Sequence, residues 1–257
     1  MNRRNFLAAG VAGVTGISAV AGAGQPKGQG EREYFELRQY HFLNRAKAGV
    51  FENFLRDVAI PAMNRIGIQP VGVFNVMYGP SQSTLYVLLV HKSLESVVEA
   101  SARLLADAQF AKADMVNAPI AEPGYVRYES SLMAAFKDMP RLNVPQQKSR
   151  IFELRTYESH SIKAAKKKIE MFNQGGEIAI FRKTGLQVVF FGETLIGSNL
   201  PNLTYMLAFD DLAHRDKQWE VFGSDPDWKK LRADPAYKDT VSNVTDIILR
   251  PSAYSQI

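Results

Sequence analysis

Apolar and polar positions first alternate along residues 34–42, where Phe35 and Leu37 fall on one side of a strand and Glu36, Arg38 and Tyr40 on the other. The period then lengthens. Phe51, Phe54, Leu55, Val58, Ala62 and Ile66 recur at three- and four-residue spacing, which predicts a helix that Pro61 should kink or split and Gly67 should close. Two runs rich in aromatic and β-branched residues, 68–78 and 85–91, read as strands joined by the turn signal GPSQS. Ser93 is placed to cap a second helix carrying Leu94, Val97, Val98 and Leu105. A short helical turn near Phe110 follows, and 125–136 reads as a last strand.

The same succession then returns. FELRQY at 35–40 reappears as FELRTY at 152–157, and GIQPVGVF from Gly67 finds GLQVVFFG from Gly185, one residue out of register with the first pair. Leu85, Leu89 and Leu94 find Leu203, Leu207 and Leu212 at that shift, and Asp107 and Phe110 find Asp225 and Trp228. Landmarks that keep their order over so long a segment indicate a duplicated domain. The second copy predicts a strand at 151–158 and a helix over 162–181 weakened at Gly175-Gly176. A hairpin of 186–196 with 203–210 follows, then a helix lined by Leu212, Trp219 and Phe222, and a closing strand at 244–249. Asp225-Pro226 and Asp234-Pro235 are cap-then-proline starts of short helices.

Each half therefore reads β-α-β-β-α-β, the ferredoxin-like order. In VGVFNVMY, LYVLLV and QVVFFGE both alternate sets are mostly apolar, so these sheets should be covered on both faces. Helices supply one cover, and the sheet of the other half is the natural second. The expected fold is α+β: two tandem ferredoxin-like (βαββαβ) domains, 34–136 and 150–257, joined by a linker at 137–149. Their antiparallel sheets should pack face to face as a pseudo-dimeric α/β barrel within one chain, with further homo-oligomerisation left open.

The first residues change the setting. Arg3-Arg4, then Phe6-Leu7, a Gly/Ala-rich apolar stretch and Ala21-Gly22-Ala23 make 1–23 a twin-arginine signal peptide, with 24–33 a flexible tether. The apolar run is too short and too diluted by glycine for a span, so no stable membrane insertion is expected after cleavage. A periplasmic or secreted location follows. The chain of 257 residues has no cysteine, so neither disulfides nor iron–sulfur clusters are available. Its formal net charge of +5 includes Arg3 and Arg4, leaving +3 without them, and nucleic acid is not an expected partner.

The Phe-Glu-Leu-Arg-x-Tyr strand, with Asp225-Pro226-Asp227-Trp228 late in the second domain, resembles the NIPSNAP family within the dimeric α/β-barrel superfamily. The resemblance runs over 34–136 and 150–254. The first half departs at the late motif, where Asp107-Ala108-Gln109-Phe110 stands for Asp-Pro-x-Trp. It implies the fold more firmly than an activity.

Candidate chemistry centres on Glu36, Arg38 and Tyr40 and on their repeats Glu153, Arg155 and Tyr157. If that face points into the barrel, two carboxylates and two guanidiniums must be paired to be tolerated there. One reading has Glu and Arg pair along or across strands and fix how the halves join, an inter-domain polar cluster. The other has Arg38 and Arg155 hold a small anionic ligand while a tyrosine donates a hydrogen bond. His41, His91, His160 and His214 form no HxxH or HExxH spacing, so no metal is expected. No cofactor is expected either; haem on His91 or His41 is the alternative that superfamily relatives imply. Gly197-Ser198-Asn199 reads as a hairpin loop, Lys166-Lys167-Lys168 as solvated surface, and Trp219 and Trp228 as packing between helix and sheet. Two function classes remain. One is a small-molecule-binding or interaction module of the cell envelope. The other is a cofactor-independent monooxygenase or isomerase acting on a small apolar substrate in a sheet–helix pocket.

Overall fold

The computed structural model describes residues 32–79, 83–146 and 150–257. The first half runs β1 (Tyr34–His41), α1 (Arg45–Phe54), a π-helical turn (Leu55–Ala59), α2 (Ile60–Arg65), β2 (Val71–Tyr78), β3 (Thr84–His91), α3 (Leu94–Ala106), α4 (Ala108–Ala111) and β4 (Arg127–Ala135). The second runs β5 (Ile151–Glu158), α5 (Ile162–Phe172), α6 (Glu177–Lys183), β6 (Gln187–Ile196), β7 (Asn202–Phe209), α7 (Leu212–Ser224), α8 (Pro226–Arg232), a 3-10 turn (Pro235–Tyr237) and β8 (Asn243–Pro251). The expected signal peptide, 1–23, and most of the expected tether lie outside the described residues. Glu33, at the tether's end, donates its backbone N–H to Pro140 O and accepts from Leu142 N on the linker.

The strands close in the order β1-β3-β2-β8-β5-β7-β6-β4, antiparallel throughout. Each half contributes the ferredoxin-like sheet order, and the halves meet along two seams, β2 on β8 and β4 on β6. Both seams carry a register shift, between Val76 and Tyr78 and between Leu132 and Met133. Such bulges bend a strand and help a sheet close. Closure leaves no unpaired edge.

Phe35, Leu37, Phe74, Phe152, Leu154 and Phe190 fill the barrel with their neighbours, so the interior is solid core. The opposite face of each sheet is covered by that half's own helices, around Phe51, Leu55 and Val87 in one half and Phe181, Tyr205 and Phe222 in the other. All eight residues of β3, and all eight of β7, are buried, which accounts for the apolar character of both their faces.

The duplication extends to the caps. Asp107 and Asp225 each accept backbone N–H bonds at the start of the following helix. Each also pairs with a basic residue at the end of an earlier helix, Arg65 at 2.7 Å and Lys183 at 2.8 Å. Gly67 and Gly185, at φ +87° and +83°, turn the chain from helix to strand in a conformation that disfavours a side chain. Next to Pro61 the helix is split, as the sequence allowed. That proline sits in the first turn of α2, and the turn before it widens to π geometry, with Ile60 N–H reaching Leu55 O. In the second half the break falls at Gly176, in the left-handed region just before α6.

Candidate functional site

Phe35 and Leu37 take the barrel-facing positions of β1, so Glu36, Arg38 and Tyr40 lie beneath the helices rather than inside the barrel. Glu153, Arg155 and Tyr157 do the same on β5. Since β1 and β5 occupy opposite sides of the closed sheet, the two clusters do not meet. The expectation of one inter-domain polar cluster is thereby corrected: each Glu–Arg pair forms along its own strand, and the seams join the halves. The alternation of the strand was right, but the apolar side won the barrel because a charge buried among its apolar side chains would have no partner.

In the first half, Arg38 Nε and Nη2 donate to Glu36 Oε1 and Oε2 at 2.7 and 3.0 Å. Ser130 Oγ donates to Oε1 at 2.8 Å, and His91 Nε2 stands 3.5 Å from Oε2. Burial alone would raise the Glu36 pKa, yet His91, Arg38 and Ser130 together hold it down at about 2. The carboxylate accepts three hydrogen bonds, two on Oε1 and one on Oε2. Arg38 Nη1 also reaches Tyr40 Oη at 3.4 Å. Burial raises the Tyr40 pKa against the pull of Arg38, so that side chain stays a phenol.

In the second half, Glu153 is fully buried and α7 comes down onto it. Arg215 Nε and Nη2 donate to its two oxygens at 2.9 and 2.7 Å, Trp219 Nε1 donates at 2.7 Å, and Arg155 Nη1 at 2.7 Å. Its pKa is lowered: burial opposes, and Arg215, Trp219 and Arg155 prevail. Asp246 lies 3.5 and 3.7 Å from Arg155 and Arg215. The Trp219 ring lies 4.9 Å from the Arg155 guanidinium. Tyr157 and Tyr205 share a hydrogen bond at 2.8 Å. Lys168 corrects another expectation. It is 5 % exposed and pairs at 2.8 Å with buried Glu177, so the lysine run is a solvated face only in part.

The one-residue shift between the copies brings α3 onto α7. Ser101 then stands where Trp219 does, Val97 where Arg215 does, and Val87 where Tyr205 does. What fills the second half is missing from the first. A cavity of about 260 Å³ results, floored by Arg38 and Tyr40. The π-helical turn lines it through Leu55 and Ala59, with Ser101 and Leu105 of α3 beside them. Phe51, Phe54, Phe110, Tyr125 and Tyr128 supply aromatic walls. π turns occur often at functional sites. Tyr128, Leu105 and Ser101 are exposed and mark the mouth. The Arg38 guanidinium lies 5.6 Å from the Tyr128 ring.

Tyr125, Tyr128 and Ser101 were not singled out by sequence. The available signal was the departure from the repeat at Ser101, read against Trp219. His91 is buried, accepts or donates at Ser96 Oγ through Nδ1 (3.0 Å), and does not line the cavity. His41 stands 3.1 Å from Glu129. Among the described residues no group of three or more His, Asp or Glu could hold a metal, and no helix is long and apolar enough to cross a membrane.

The fold defines an α/β barrel of the dimeric kind, closed here by two repeats within one chain. The chain belongs to the NIPSNAP family, whose model matches residues 35–137 and again 152–256. Among solved structures, a candidate monooxygenase from Lactobacillus acidophilus NCFM superposes with a TM-score of 0.58 at 12 % identity, over 86 % of this chain and 94 % of the other. An anthrone oxidase-like protein gives 0.52 at 9 % identity, over 87 % and 93 %. At these identities the likeness concerns fold alone. A NIPSNAP-like domain protein from Burkholderia xenovorans is 23 % identical, covering 42 % of this chain and 90 % of its own, with a TM-score of 0.38. Comparison with curated proteins finds no match.

Proposed function

We propose that this NIPSNAP protein is an exported small-molecule-binding module of the cell envelope, with one site per chain in the sheet–helix cavity of the first half. The observation that carries the reading is the substitution of Ser101 for the tryptophan that fills the same place in the second half. An aromatic and aliphatic lining with a few converging polar groups is the usual composition of a ligand site. The second half supplies the other side of the barrel and is packed shut. Binding is favoured over turnover because Glu36 is tied up by Arg38 and Ser130 with its pKa held down, and Tyr40 is held as a phenol, leaving neither set up to take a proton. Arg3-Arg4 and the apolar stretch after them support export. N-terminal sequencing of exported protein should begin near Gly24, and an intact Met1 in a membrane fraction would mean an anchor instead. For the site, native mass spectrometry of the chain titrated with 1-naphthol should show uptake of one molecule. Uptake of none, or of two with equal affinity, would remove the asymmetry on which the reading rests.

A further inference from the structure

We infer that the ligand of this cavity is an uncharged, planar molecule of one or two rings whose polar end is a hydrogen-bond-accepting oxygen, such as an aromatic ketone or quinone, and not a carboxylate. The inference rests on the site proposed above and adds the chemistry of its occupant.

Charge balance carries it. Arg38 is the sole charged side chain among the cavity's lining residues, and its counter-ion is already present in the bidentate contact with Glu36. The second half pairs its charges through different residues, and Arg215 there also binds the exposed Asp216 at 2.9 Å. There Asp246 takes the place that Ser130 has across from Arg38, and the added carboxylate is met by the added Arg215. In the open half one cation faces one anion, and no other lining side chain is charged. A carboxylate entering the open half would therefore bring an uncompensated charge into a site walled by aromatic rings, which desolvation disfavours.

Hydrogen-bond capacity gives the rest. Arg38 has five N–H groups, of which Glu36 takes two and Tyr40 one. The remaining two have no partner among the described residues. The Tyr40 phenol adds an O–H donor beside Arg38 on the cavity floor. The polar end is rich in donors, and a neutral acceptor oxygen satisfies them with a charge-assisted bond and no added charge. The walls set the shape: Tyr125 and Tyr128 stand edge to face, 5.8 Å between ring centres, and Tyr40 stacks with Tyr128 at 5.2 Å, surfaces that favour a flat ring system.

The test compares three probes of one ring size on the whole chain by calorimetry: 1-acetonaphthone, naphthalene and 1-naphthoate. The ketone should bind at least about tenfold more tightly than either of the others, about 1.4 kcal/mol. Glu36→Gln, which leaves Arg38 without its counter-ion, should then reverse the order of ketone and carboxylate. A thermal melt at neutral pH checks that this variant is folded, and the wild-type comparison stands without it. Naphthoate binding wild type as well as the ketone does, or gaining nothing from Glu36→Gln, would overturn the ligand class while leaving the site. Failure of all three probes to bind would overturn the site and the inference together.

Discussion

The two halves use one strand phrase for two ends. In the second, Glu153 is the anchor of a helix: Arg215 and Trp219 reach down from α7, and the space above the sheet is filled. In the first, Glu36 is satisfied within the sheet and by His91, and α3 passes overhead without touching it through Ser101 or Val97. Helix length, capping serine or aspartate, and the following Asp107 or Asp225 cap are the same. What differs is a few side chains. The comparison teaches that a duplicated domain can keep its fold through one copy and open a site in the other.

The largest effect should come from unpacking the closed half. Trp219→Ser removes a large ring from the core and a donor from a fully buried carboxylate, and should lower stability by roughly 3–5 kcal/mol, read in a denaturant titration. A loss under about 1 kcal/mol would mean that Trp219 does not close this half as described.

The open half should be less sensitive. Arg38→Met strands Glu36, although Ser130 and His91 still hold the carboxylate, so the loss should be about 3 kcal/mol, at the low end for a broken buried pair. Replacing Glu36 and Arg38 together by methionine should restore most of it, because no unpaired charge remains. A double variant as unstable as the single would show that something other than charge pairing is lost. The same carboxylate gives an acid limb. With its pKa lowered from 4.5 to about 2, Glu36 contributes stability in full above about pH 4.5, and that contribution is lost as pH falls toward 2. It is worth roughly 3 kcal/mol at most, so the stability gap between wild type and Glu36→Gln should narrow over that window.

Much of this architecture was legible in residue order. The period-2 and period-3.6 stretches, the repeat, the Asp-Pro caps and the doubly apolar strands follow from local sterics and burial, which act residue by residue. The direction of the FELR face was not. Alternation states that Glu36 and Arg38 share a side, but which side meets the barrel depends on closure between segments far apart in the chain. The same limit hid Lys168, whose partner Glu177 lies beyond the break at Gly176. The cavity was hidden for another reason. A site made by an absent side chain has no motif, and Ser101 acquires meaning only once α3 is laid over α7.

Filling that absence tests the account most directly. Ser101→Trp gives the first half the ring that closes the second, placed to reach Glu36 as Trp219 reaches Glu153. Calorimetric titration with 1-acetonaphthone should show one site in the wild-type chain and none in Ser101→Trp, with the variant's melting temperature unchanged or raised. A folded Ser101→Trp protein that binds the ketone as tightly as wild type would contradict the assignment of the site to this cavity.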